Sequence, residues 1–72
     1  MNSNVVNVDP EVLGGTPVFL GTRVPVKSLF DFLEAGDSIE EFLENFPTVQ
    51  REQVIVLLET AREKVMTSLE SA

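Results

Sequence analysis

Carboxylates are the side chains of this 72-residue chain that could do acid–base or metal chemistry, since it has 12 Asp and Glu but no His and no Cys. Glu40 and Glu44 lie four residues apart, so a helix would place them on one face. Three interpretations of such a pair remain. The first in preference is a solvated helix face, the second is a docking surface for a basic partner, and the third is a metal site. The common general base, the thiolate ligands and the Ser-His and Cys-His nucleophiles are all missing. We therefore expect no catalysis, no metal and no cofactor.

Glycine-rich segments are the next candidates for chemistry, because backbone amides in such loops can bind phosphate. The segments Gly14-Gly15-Thr16 and Gly21-Thr22-Arg23 lack the Gly-Lys-Ser/Thr ending and the strand-to-helix context of a P-loop. We interpret them as turns between short strands, with Gly14, Gly15 and Gly21 as structural residues. Arg23 is a lone cation in an apolar stretch, and we expect its planar guanidinium to bind the carboxylate of Asp9 or Asp31.

The formal net charge of -7 limits the partners of this chain. Five basic residues against 12 acidic ones disfavour binding to phosphate backbones and anionic membranes. The first four residues carry no basic leader, and no apolar run approaches the roughly 20 residues of a membrane span. These features predict a cytoplasmic protein that contacts no membrane. A single domain of this length commonly needs a partner chain for stability.

The elements that carry these residues fall into two halves of one predicted domain, residues 1–72. Residues 4–25 have strand and turn composition, with a strand at 5–8 and a hairpin in which 18–20 and 23–24 flank Gly21-Thr22. Residues 26–70 have helical spacing and predict three helices. The first ends at Gly36, the second begins at a Ser38–Glu41 capping box and ends at Pro47, and the third is capped by Thr48 and runs about twenty residues.

This order predicts a mainly α fold, a three-helix bundle of helix-turn-helix type with a small N-terminal β element. If it reads DNA, the start of the third helix would present Thr48, Gln50, Arg51 and Gln53 to base edges. The second helix would then lie across the phosphates, and its four carboxylates within residues 37–46, without a basic residue, oppose that contact.

Excess apolar residues on the third helix predict an interface. Its inner face is Val54, Leu57, Leu58, Ala61, Val65 and Leu69. Ile55 and Val56 cannot both face the same core, which favours a homodimer or docking onto another protein, although the hairpin could also cover the extra side. Phe32 lies off the stripe of the first helix and is a candidate anchor. The candidate interface residues are Phe32, Ile55, Val56, Arg62, Met66 and Leu69.

Two motifs carry a family resemblance: Gly14-Gly15-Thr16-Pro17 and Gly21-Thr22-Arg23-Val24-Pro25, followed by Phe46-Pro47. From about residue 4 to 65 the chain resembles the bacterial family numbered 433 among domains of unknown function. The resemblance implies a homeodomain-like helix-turn-helix that acts as an antitoxin, with a toxin partner similar to PIN-domain ribonucleases. It thus favours a non-catalytic antitoxin-like module that binds such a nuclease and operator DNA. The alternative is a homodimeric adaptor with no nucleic-acid role, whose acidic second helix recognises a basic partner.

Overall fold

A computed structural model describes residues 5–71 of the chain, so residues 1–4 and 72 of the predicted domain lie outside the described range. Three helices follow a small two-stranded antiparallel sheet, and the fold is mainly α, as predicted. The elements are β1 (Val6–Asn7), a 3-10 turn (Leu13–Gly15), β2 (Val18–Phe19), α1 (Val26–Glu34), α2 (Ile39–Asn45) and α3 (Arg51–Ser71).

The sheet pairs β1 with β2, with Val6 opposite Phe19. The predicted hairpin partner of β2, residues 23–24, is not a strand. The Phe19 N–H still donates to the Val24 carbonyl at 2.9 Å. Thr22 prevents a regular ladder there, because its hydroxyl accepts from the Val24 N–H and donates to the Phe19 carbonyl. Gly21 supplies the positive φ of 80° that this turn requires.

The junction between α1 and α2 is held by backbone and cap hydrogen bonds. Gly36 has a φ of 88°, and the Asp37 N–H donates to the Phe32 carbonyl at 2.9 Å, as in a Schellman motif. Ser38 and Glu41 form the predicted capping box, in which each side chain accepts from the other's backbone N–H. The short connection between α1 and α2 therefore has a fixed geometry.

Phe42 is the centre of the core. It is fully buried, and its ring centroid lies 5.9 Å from Phe19, 5.6 Å from Phe32 and 4.9 Å from Phe46. Phe32, the candidate interface anchor, is half-buried and packs against this core. Phe32 lies three residues after the buried Leu29, on the side of α1 that meets α2, and its ring packs edge-on against Phe42.

Helix α3 begins at Arg51, so the prediction that Thr48 caps it is wrong. Pro47 and Thr48 are instead the central residues of a turn that the Val49 N–H closes on the Phe46 carbonyl at 3.0 Å. The side chain of Val49 is buried beneath this turn. The N–H of Gln50 is capped by the side-chain oxygen of Gln53 at 2.9 Å.

The second half of α3 extends past the rest of the domain. Val54 and Leu57 are buried and Ala61 is half-buried, but every residue from 62 to 70 is exposed. A helix of 21 residues is about 31 Å long, whereas the nine residues of α1 span about 14 Å. The prediction that Val65 and Leu69 complete the inner face is therefore wrong, because α1 and α2 are too short to reach them. No helix in residues 5–71 is long and apolar enough to span a bilayer.

Replacing Phe32 with Ala should lower the free energy of unfolding by about 2 kcal/mol, below the cost for a fully buried Phe because Phe32 is half-buried. Urea denaturation followed by circular dichroism measures this difference. Leu20→Ala is the control, since it removes an exposed side chain and should cost under about 0.5 kcal/mol. Equal stability of the Phe32 variant and the wild type would contradict the core position of Phe32.

Candidate functional site

Arg51, one of the four candidate DNA-binding residues, binds a carboxylate of this domain. Its Nη2 lies 2.9 Å from the Oε1 of Glu40. Glu40 is in the first turn of α2 and Arg51 is the first residue of α3, so the pair joins the two helices across the turn. The pKa of Glu40 is lowered by its own backbone hydrogen bond and then by the hydrogen bond and charge of Arg51. The guanidinium is therefore oriented towards α2.

Gln53, a second candidate DNA-binding residue, also has its side chain committed within the domain. Its Nε2 donates to the Leu20 carbonyl at 3.0 Å, and its Oε1 accepts from the Gln50 N–H at 2.9 Å. The half-buried amide thus fastens the turn after β2 to the start of α3. A base edge would have to compete with both hydrogen bonds.

A cavity of about 500 Å³ lies between this turn and the first turns of α3. Thr48 and Gln50, the other two candidate DNA-binding residues, are exposed and stand on its wall. The four candidates therefore do not form one reading surface, since three border the cavity and Arg51 points to α2. The lining residues are Val5, Leu20, Gly21, Thr48, Gln50, Glu52, Gln53 and Val56.

The exposed half of α3 carries three of the six predicted interface residues, together with Val65. Val65, Met66 and Leu69 are 57%, 47% and 65% exposed, and the exposed Arg62 lies one turn before Met66. At 3.6 residues per turn these four side chains share one face of the helix. We call Arg62, Val65, Met66 and Leu69 the distal stripe.

The two other predicted interface residues of α3 lie on the body of the domain. Ile55 is 41% exposed. Val56 is half-buried, packs against the core and borders the cavity beside Val5 and Leu20. For Val56 the structure therefore favours the alternative that the β element covers the extra apolar side, whereas the distal stripe has no cover within residues 5–71.

The predicted ion pair of Arg23 with Asp9 or Asp31 is absent from the described residues. Asp31 binds Lys27 at 2.8 Å, since Lys27 lies one helical turn before it on α1. This pair raises the pKa of Lys27, through the hydrogen bond first and the charge second. Asp9 accepts from the Glu11 N–H at 2.9 Å in a local turn. Arg23 is exposed beside the Thr22 turn.

The carboxylates of the acidic segment 37–44 make different contacts. Glu40 binds Arg51, and Glu41 belongs to the capping box. Glu44 is exposed one turn after Glu40, with no ion pair among the described residues. Within residues 5–71 no three acidic side chains come close enough to hold a metal ion. The segment is thus a charged surface of α2.

Two features of this region were missed by sequence reasoning. One is the cavity, which depends on the Gln53–Leu20 hydrogen bond between residues 33 apart in the chain. The other is the exposure of Val65 and Leu69. This exposure could have been predicted from the sequence, because the third predicted helix is about twice as long as either helix it packs on.

Substituting Arg51 with Met should raise the pKa of Glu40, because the hydrogen bond and charge of the guanidinium are lost. The value should stay below 4.5, since the backbone hydrogen bond of Glu40 remains. A lowered folded-state pKa stabilises the fold above pH 4.5, and this contribution is lost as the pH falls through the folded value. Carboxyl carbon NMR titration measures the change. An unchanged Glu40 titration would contradict the ion pair.

Comparison with known proteins gives a family but no activity. The sequence profile of the family described as "Protein of unknown function (DUF433)" matches residues 6–59. An uncharacterized protein, y4eO, of Sinorhizobium fredii is 44% identical over 50 residues. The match covers 69% of this chain and 23% of that protein, so the chain spans about a quarter of the length of the relative. No solved structure matches the chain.

Proposed function

The chain belongs to the DUF433 family, and we propose that it is a non-catalytic, antitoxin-like module that binds other protein chains through α3. Its proposed partner is a PIN-like toxin nuclease. Binding would hold such a nuclease in a complex, and the chain itself would perform no reaction. The cytoplasm is the compartment we propose for this complex.

The distal stripe is the observation that carries this proposal. Val65, Met66 and Leu69 lie together on a helix segment whose residues, from 62 to 70, are all exposed. Burying large apolar side chains removes their contact with water, at about 25 cal/mol per Å² of area. Helices with apolar residues at this spacing commonly bind in a groove of a partner protein. A protein partner therefore gains more from this surface than a nucleic acid would.

A second candidate function is that of an adaptor that recognises a basic protein. It is favoured by the exposed Glu44 on α2 and by the net charge of -7. Opposite charge speeds encounter and orients the partner more than it adds affinity. In this function the distal stripe is a self-association surface, and the acidic face of α2 is the recognition surface.

Operator DNA is the weaker part of the antitoxin proposal. Arg51 is the candidate best suited to reading guanine, and reaching a base would require leaving Glu40. The exposed carboxylates of α2 would also lie near phosphates in a helix-turn-helix complex. Arg51 is itself exposed but is paired with Glu40, so Thr48 and Gln50 are the exposed candidates outside this ion pair. DNA contact in this proposal depends on them and on a partner that supplies positive charge.

The protein-binding role is tested with a purified PIN-domain nuclease from the same genome, using isothermal titration calorimetry. We expect the wild-type chain to bind and the Val65→Asp/Leu69→Asp variant to lose at least about 100-fold in affinity, because charges would be buried at the interface. Lys64→Asp is the matched control, since it changes the charge equally at an exposed position about 140° around α3 from Leu69. Failure of the wild type to bind, or equal binding by the double variant, would contradict the proposal.

The DNA contact is tested by fluorescence anisotropy with a labelled duplex at low and physiological salt. Glu44→Lys should raise the affinity and its salt dependence if α2 crosses the phosphates, because a repulsive charge is replaced by an attractive one. Glu40 is left unchanged because it binds Arg51. Glu41 is left unchanged because it caps α2. Glu63→Lys, at an exposed position on distal α3, shows the effect of charge reversal elsewhere. An increase equal to that control would rule out α2 as the phosphate-facing helix.

A further inference from the structure

We propose that the distal stripe binds the same stripe of a second copy of this chain, with the two α3 helices antiparallel. The inference rests on the proposed protein-binding role of α3, and in it the second copy covers the distal stripe while no nuclease is bound. Its basis is the pattern of charge and apolar residues along residues 61–70, where α3 extends past the body of the domain.

The first argument is the local charge of distal α3. The chain as a whole has a net charge of -7, which opposes self-association over most of its surface. Residues 58–70 carry three carboxylates and two cations, so this segment has a charge of only -1. Two copies can therefore meet along distal α3 with little repulsion.

The second argument is the match between side chains in an antiparallel pair. When two copies of residues 61–70 lie side by side in opposite directions, Val65 of each copy is level with Met66 of the other. Arg62 is level with Leu69 and is one residue, about 1.5 Å, from the level of Glu70. The apolar centre is thus flanked at both ends by an Arg62–Glu70 pair between copies.

The third argument excludes the parallel arrangement. Arg62 lies within the stripe, so a parallel pair would place it directly against Arg62 of the other copy. Like charges at such a position destabilise a helix pair and select against that orientation. The antiparallel pair separates the two guanidinium groups and gives each a carboxylate. Ala61, at the base of the stripe, is small enough to let the helices approach closely.

Charge exchange between positions 62 and 70 tests the arrangement by sedimentation equilibrium. The wild type should be a dimer at micromolar concentration. Arg62→Glu and Glu70→Arg should each weaken the dimer about tenfold, because each sets like charges together at both ends. The double variant should return to within about threefold of the wild type. Lys64→Glu, the same charge reversal away from the stripe, should leave the dimer unchanged.

The outcomes separate this inference from the proposed function. A monomeric wild type, an unaffected dimer in both single variants, or a double variant that does not recover would overturn the antiparallel pair. All of these positions are exposed, so circular dichroism should confirm that every variant is folded. A monomer that binds the nuclease would leave the proposed function standing. A dimer that follows the charge pattern but binds no nuclease would leave the pair standing and overturn the antitoxin role.

Discussion

The packing around Phe42 is the interaction on which the rest of the structure depends. Its ring contacts Phe19 from the sheet, Phe32 from α1 and Phe46 after α2, so one side chain joins three elements. The buried residues number eight among those described, and the largest of them are Phe19 and Phe42. A domain with so small a core relies on a few large aromatic contacts. The two-residue strands and the seven-residue α2 would not be stable without that cluster.

Because α3 is much longer than the other elements, part of its surface stays exposed and available for contacts outside the domain. The core covers α3 only as far as about residue 61, and the helix continues for ten more residues. Hydrogen bonds at the start of α3 determine which of the candidate DNA-binding side chains are available to a ligand. Arg51 donates to Glu40 and Gln53 donates to the Leu20 carbonyl. Both side chains therefore make contacts within the domain that a DNA base would have to replace.

Much of the fold was predictable because the residues that begin and end its helices lie within a few positions of each other in the sequence. Gly36, Ser38 and Glu41 define the end of α1 and the start of α2 by chemistry within a few residues. The start of α3 was misplaced because Thr48 is a typical cap residue, whereas in the structure the side chain of Gln53 accepts from the Gln50 N–H just before the helix. The position of Phe32 depends on how α2 lies against α1. The distal stripe could be named in part from the sequence, but its exposure depends on how far neighbouring helices reach.

The separation between the core and distal α3 has an evolutionary consequence. Residues 62–70 are all exposed, so substitutions there cost the fold little stability. The matched family region, residues 6–59, ends just before this segment. Selection could thus change the surface of distal α3 while the aromatic core stays constant. The same core could in this way carry distal helices of quite different surface chemistry.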